Sequence, residues 1–309
     1  MKNSILIIGA SGQLGRFFID KLSKNNRVLA TDISGESSLN CDFEYLDVLN
    51  IENLRSIVKN YKINRIYNLA AILSAKGEDD LFKTWNLNTE AFLNVSKVAI
   101  EFNVERIFWP SSIAVFGHNS NLDFVENDVP MLPSSIYGVS KLASEKLMYY
   151  LNTKKLLDIR SLRYPGIASA SKPGGGTTDY IVEMLYSALS NKKYTCFLNK
   201  NNNLPMIHID DSIDAAIELM EADKKMISIN YPYNINGFSM NPGTWNNIIN
   251  DLGYDLKTDY KPDFRDLIAN SWPKDVNDSL FRNDFNWSPK FNSVETAQNI
   301  MASIQPQRQ

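Results

Sequence analysis

The run Tyr137-Gly138-Val139-Ser140-Lys141 sets a phenol and an ammonium four positions apart in a stretch of helical periodicity, and therefore on one helix face. A free tyrosine titrates near pH ~10 and is a poor base at neutrality, but a nearby cation favours the phenolate, each unit of lowering corresponding to ~1.4 kcal/mol. Lys141 supplies that cation. Tyr-x-x-x-Lys pairs arise on many solvated helices, so this one gains meaning only from its company. Ser112, in Pro110-Ser111-Ser112-Ile113, follows a short apolar run and would stand at the carboxyl edge of a sheet, where its hydroxyl can hold a reacting oxygen. Tyrosine as proton acceptor, lysine as its support and serine as orienting donor make a general acid–base set.

A second constellation lies at the other end of the chain. Gly9-Ala10-Ser11-Gly12-Gln13-Leu14-Gly15 directly follows the apolar run Ile5-Leu6-Ile7-Ile8 and opens a helical pattern. In that context Gly9 permits a tight turn, Gly12 lets backbone approach a pyrophosphate, and Gly15 lets helix and strand pack closely, with free helix N–H groups facing the anion. Asp32 closes the next strand, where its carboxylate would accept hydrogen bonds from the adenosine ribose and repel a 2′-phosphate. No arginine follows in Ile33-Ser34-Gly35-Glu36, which favours NAD over NADP. Asp47, with Val48 beside it, is a weaker candidate for the adenine edge, since an Asp in a turn is common for local reasons.

The elements that must position these groups follow a βαβ rhythm. Strands are expected at 5–8, 27–31, 43–46, 65–70, 106–109 and 159–163, and helices at 51–61, 81–102 and 135–152, which gives an α/β doubly wound parallel sheet. The rhythm breaks at Lys172-Pro173-Gly174-Gly175-Gly176. Beyond it, helices at 179–191 and 211–222 and proline-punctuated connections suggest a smaller substrate lobe. The expected division is a nucleotide-binding domain over 1–168 with returning segments at about 207–237, and a substrate lobe over 169–206 and 238–309.

Composition removes other classes. The 309 residues carry 32 Lys+Arg against 35 Asp+Glu, a net charge of −3 with no long basic cluster, so neither nucleic acid nor an anionic membrane is an expected partner. No apolar stretch reaches the ~18 residues of a membrane span, and the apolar run after Lys2 ends at Gly9, too short for a signal peptide. Cys41 and Cys196 are far apart, and His118 and His208 are the only histidines, so no zinc-ligand spacing exists and no metal is expected. Two lone cysteines suit a reducing cytoplasm.

With the glycine turn and Ser112, Tyr137 and Lys141 in this order, the chain resembles the extended short-chain dehydrogenase/reductase family. Its second half is more specific: Leu162-Arg163-Tyr164-Pro165-Gly166, Gly174-Gly175-Gly176-Thr177-Thr178-Asp179-Tyr180, Tyr260-Lys261-Pro262-Asp263-Phe264-Arg265 and Ser271-Trp272-Pro273 are similar to the metal-independent L-threonine 3-dehydrogenases. The resemblance covers almost the whole chain. His208 departs from it, because tyrosine or another residue is expected there.

The resemblance implies NAD-dependent oxidation of L-threonine to L-2-amino-3-oxobutanoate, with Tyr137 taking the hydroxyl proton, Ser112 orienting the oxygen and Lys141 also binding the nicotinamide ribose. It places Gln13, Leu14, Ala70, Tyr164 and Ile167 with Gly9, Gly12, Gly15 and Asp32 around the cofactor, and Ser74, Gly77 and Trp272 around the amino acid. Thr177 or Thr178, with adjacent backbone amides of the glycine run, is expected to hold the carboxylate. It further implies a homodimer formed through the helices at 81–102 and 135–152. Two rivals remain on the same scaffold: a nucleotide-sugar epimerase or dehydratase, which would need extra basic and stacking groups in the second half, and a non-catalytic NAD-binding sensor.

Overall fold

A computed structural model describes residues 3–35, 41–118 and 121–304; Lys2, Glu36 and the last residues of the expected substrate lobe lie outside these. The first half runs β1 (Ser4–Ile8), α1 (Gln13–Leu22), β2 (Arg27–Asp32), β3 (Asp42–Tyr45), α2 (Ile51–Asn60), β4 (Arg65–Asn68), the short α3 (Ser74–Gly77), α4 (Leu81–Glu101), β5 (Arg106–Phe108), β6 (Ser111–Ser112), α5 (Ile136–Thr153), β7 (Ile159–Arg160), β8 (Leu162–Tyr164) and β9 (Gly166–Ala168). The second half carries α6 (Tyr180–Leu189), β10 (Tyr194–Cys196), β11 (Leu204–His208), α7 (Ile209–Glu221), β12 (Tyr233–Asn234), β13 (Phe238–Met240), α8 (Pro242–Asp251), β14 (Thr258–Tyr260), α9 (Phe264–Ala269), α10 (Ser279–Phe285) and α11 (Ser293–Ile304).

Six strands form one parallel sheet in the order β3-β2-β1-β4-β5-β7. Its interior follows from the period-2 alternation of strands: Ile5 and Ile7 join Phe18, Tyr67 and Phe108 on one face, while Leu6 and Ile8 join Phe92, Val95 and Trp109 on the other. Burying each such side chain contributes roughly 1.5–3 kcal/mol. Strand order reverses at β1, so β1 and β4 diverge at their carboxyl ends and leave a crevice between the helices that follow them. That crevice is the site.

The expected single strand over 159–163 is two. β7 ends at Arg160 and β8 pairs instead with β6 and β12 in a small sheet, yet the register is unbroken: Phe108 faces Arg160 and Ser111 faces Arg163. The ladder lapses beside Pro110, whose fixed φ and missing N–H suit a strand interior poorly.

A separate core under the second half gathers Tyr180, Met184, Leu185, Trp245, Ile249 and Ile300 around β10 and β11. Late residues also return to the first half: Phe281, Phe285 and Trp287 pack into the core that holds Phe18. His208 belongs to this architecture. It is fully buried, stacks on Phe291 at 3.9 Å, accepts the Asp210 N–H through Nδ1 at 3.1 Å and meets Asn299 through Nε2. Burial holds its pKa below the usual histidine value.

Candidate active site

The crevice is a cleft of about 830 Å³, within the usual range for small-molecule sites. One wall is the turn between β1 and α1. Gly9 has φ +83°, and a Cβ there would stand 2.8 Å from the Ala70 nitrogen, so only glycine fits. Gly12 caps α1 with no side-chain partner for the helix amides, and the Ser11 hydroxyl is buried without any hydrogen-bond partner. Unclaimed donors at a helix start are what a pyrophosphate needs, so these residues fit a dinucleotide. Gly9, Gly12, Gln13, Leu14, Gly15, Tyr164 and Ile167 all line this end. The Gln13 amide is already engaged, donating to Ser169 Oγ at 2.6 Å and so tying α1 to the end of β9.

Other expected cofactor residues do not line the cleft. Asp32 accepts the Ser11 N–H at 3.0 Å and both donors of Ser34, and so clips the glycine turn from behind. Asp47 closes a local turn onto the Leu49 N–H, Val48 is buried in the core, and Ala70 backs Gly9. Gly77 is also displaced: it packs under α4, where its carbonyl accepts Thr84 Oγ1 at 3.0 Å.

The structure brings Ser112, Tyr137 and Lys141 together along the middle of the cleft. Ser135 caps α5 by accepting the Gly138 N–H, and Glu78 accepts the Ile136 N–H at 2.9 Å, which fixes the first turn that carries Tyr137. Gly138 allows close approach, since a Cβ there would lie 2.3 Å from the Ala114 carbonyl, just beyond Ser112. Ser112 Oγ accepts the Ala114 N–H at 3.2 Å, which leaves its proton available to donate. Lys141 donates to the Pro110 carbonyl at 2.7 Å and lies 4.6 Å from the Trp109 ring centre.

The electrostatics differ from the simple expectation. Burial pushes the Tyr137 phenol up to about 12, with a Ser112 hydrogen bond pulling the other way. Burial also brings the Lys141 ammonium down to about 7, opposed by Glu145. The Lys141 ammonium donates to Pro110 and also stands 5.6 Å from the Tyr137 ring centre. Glu145 escaped the sequence reading: one helical turn beyond Lys141, it is buried in a two-pronged pair with Arg163 at 2.9 Å and accepts the Ser111 hydroxyl. Its i+4 spacing from Lys141 was the available signal.

The far wall is the glycine run. Ser74, expected on a loop, opens α3 and is buried, with Oγ 2.9 Å from Thr177 Oγ1 and accepting the Thr177 N–H at 3.2 Å. The Gly175 and Gly176 amides donate to Asp179 Oδ2 at 2.8 and 2.9 Å. The run is therefore not the open anion concavity expected: its amides are claimed by Asp179 and Ser74. Thr178 and Trp272 line the same end, and the Trp272 indole N–H is buried with no partner.

A sequence profile of the NAD dependent epimerase/dehydratase family matches residues 5–235. An uncharacterized epimerase/dehydratase of Staphylococcus haemolyticus is 35% identical, covering 99% of this chain and 98% of its own. Among solved structures, the holo form of a GalE-like L-threonine dehydrogenase from Cupriavidus necator superposes with TM-score 0.94 at 36% identity, covering 98% of this chain and all of that one. A monomeric L-threonine 3-dehydrogenase from a metagenome matches with the same TM-score and identity, covering 97% of this chain and 98% of that one. With the six-stranded parallel sheet and its glycine turn, these place the chain in the NAD-dependent epimerase/dehydratase family, the extended branch of the short-chain dehydrogenases/reductases.

Proposed function

We propose that the chain oxidises L-threonine to L-2-amino-3-oxobutanoate with NAD, Tyr137 being the general base. The observation that carries this reading is the convergence of Ser112, Tyr137 and Lys141 in one cleft, between a turn with free anion donors and a compact polar pocket of Ser74, Thr177, Thr178, Asp179 and Trp272. The likeness to solved L-threonine dehydrogenases supports it.

Gly9 to Gly15, Ser11, Tyr164 and Lys141 would hold NAD, which supplies the hydride acceptor when bound. Ser112 donates to the substrate hydroxyl oxygen and orients it toward Tyr137. Tyr137 takes the hydroxyl proton as the carbonyl forms, and Lys141, one turn away, takes up or releases a proton with it. Thr178 and the Trp272 N–H are the donors left for the carboxylate, in place of the glycine amides.

The nucleotide-sugar reading is favoured by the names of the sequence relatives. It fits the lining less well: among the described residues there, Arg16 is the only arginine, and it stands at the nucleotide turn. A spectrophotometric assay separates the readings. NADH should accumulate with threonine and not with UDP- or dTDP-sugars; turnover of a sugar nucleotide without net NADH would overturn the proposal, and NAD binding without oxidation of any hydroxy amino acid would favour a sensor.

The proposal includes the division into lobes at 1–168 with 207–237 and at 169–206 with 238–309, a cytoplasmic location, and a homodimer. Exposed Phe82 and Trp85 on α4 and Tyr149 and Tyr150 on α5 support the dimer, whose solution mass should be twice that of the chain. No helix among the described residues is long and apolar enough to cross a membrane.

A further inference from the structure

α5 carries one acidic residue, Glu145, and it is as buried as Lys141, at 3% exposure each. Tyr137, Lys141 and Glu145 follow one another at four-residue steps and so share a helix face. The bonds of Glu145 reach beyond that helix. Its Oε1 accepts the Arg163 Nε–H at 2.9 Å and the Ser111 hydroxyl, and its Oε2 accepts from Arg163 Nη2 at 2.9 Å. Ser111 precedes Ser112 on β6 and lies opposite Arg163 of β8 in the ladder. Arg163 is itself buried, donates to the Asn127 carbonyl and to Asn234 Oδ1, and is faced by Tyr231, which also lies in the field of Asp128. Two buried cations, Lys141 and Arg163, thus share one buried anion. Replacing such a set with apolar residues is often neutral or stabilising, so fold stability alone gives little reason for it. Lys141 is faced by Tyr137 and Glu145 from its own helix and by the Trp109 ring and Pro110 carbonyl from the neighbouring strand end, while the Tyr164 phenol of β8 donates to the Ser212 carbonyl. Among the described residues, Glu145 is the only carboxylate that bears on the Lys141 ammonium, and it opposes the effect of burial there.

We propose that Glu145 is a positioning residue for the reaction: it ties the strand of Ser112 to the helix of Tyr137 and Lys141, and it divides its negative charge between Arg163 and Lys141. This rests on the proposed part of Lys141 in the proton chemistry. The tie and the charge are separable. Ser111 carries the tie, and the Arg163 fork governs the charge, because a carboxylate gripped by a guanidinium has less to offer a second cation. Glu145→Gln keeps the shape and an acceptor oxygen but removes the charge. Arg163→Gln leaves the whole carboxylate charge to Lys141.

The measured quantity is the pH at which Lys141 gives up its proton. In the full chain it is read from the step in kcat/KM near pH 7 and, without turnover, from trace labelling of Lys141 by acetic anhydride followed by mass spectrometry of its peptide. Acetylation follows the free amine, and a midpoint does not depend on how much of a variant is folded. Glu145→Gln should move the midpoint down by about one pH unit, and Arg163→Gln should move it up by a similar amount. Ser111→Ala should leave the midpoint in place and lower kcat about 3- to 10-fold. Loosened packing alone would lower kcat in every variant without driving the midpoints apart. A midpoint unmoved in Glu145→Gln, or shifted in the same direction in Glu145→Gln and Arg163→Gln, overturns the charge sharing, and an unchanged kcat in Ser111→Ala overturns the tie. Should Arg163→Gln fail to fold, the Glu145→Gln shift decides alone. A wild-type protein that oxidises no threonine would overturn the parent reading, and the labelling midpoints would still decide the charge sharing.

Discussion

Two glycine-rich turns face each other across the cleft, and they differ in what has become of their amides. In the turn from Gly9 to Gly15, the start of α1 has no side-chain cap and the Ser11 hydroxyl has no partner. In the run from Gly174 to Gly176, Asp179 accepts two amides and Ser74 accepts that of Thr177. Glycine content is alike in both. An anion site requires donors that the chain leaves unsatisfied, and an acidic residue one step before a helix is enough to remove them. The first turn is thus built to receive a ligand's charge, and the second is locked so that its side chains can recognise one.

Under the proposed function, cofactor and substrate belong to different turns, with the proton chemistry between them. The largest effect is expected at that middle ground: Tyr137→Phe should lower kcat by about 10²- to 10⁴-fold while NADH titration gives a near wild-type Kd. Near-normal turnover would remove the base from between the turns. The pH profile should follow from the same pair. With Tyr137 held at about 12, the phenol keeps its proton through neutrality, so a kcat/KM that needs the phenolate should still climb with pH above 7, with an added step near pH 7 where Lys141 gives up its proton. Lys141→Met should remove the step near pH 7 and leave the rest of the climb. A profile unchanged in this variant would separate Lys141 from the base.

Smaller effects sharpen the division between the turns. Gly9→Ala forces a side chain into positive φ and against Ala70, and should weaken NADH binding on the order of ten- to hundredfold, with little change in threonine KM once cofactor saturates. Ser74→Ala removes one hydrogen-bond partner at the second turn and should raise threonine KM roughly 3- to 10-fold, leaving NADH binding alone. If Ser74→Ala moved the cofactor Kd instead, the two turns would not be separate sites.

Features carried by local patterning were legible in the sequence. The apolar run of β1, the helical spacing of Leu14, Phe18 and Leu22, and the position of Ser112 at a strand end each follow from a few neighbouring residues, and the sheet forms with element limits close to those expected. Features set by distant partners were not. The bonds of Asp32 to the Ser11 N–H and of the Gly77 carbonyl to Thr84 could not be read from residue type and position. The capture of Gly175 and Gly176 by Asp179, and of Thr177 by Ser74 more than a hundred residues away, depends on how loops meet in space. The pair of Glu145 with Arg163 is of the same sort, although its place on the Tyr137 helix was a usable hint.

The four residues of α3 have a mechanical consequence. Ser74 grips Thr177, the Lys76 N–H reaches the Gly175 carbonyl at 3.2 Å, and Glu78, just past the helix, holds the first turn of α5. The segment works as a strut between the polar pocket of the glycine run and the phenol: the glycine run cannot swing outward without breaking its bonds to α3 or pulling on the turn that carries Tyr137.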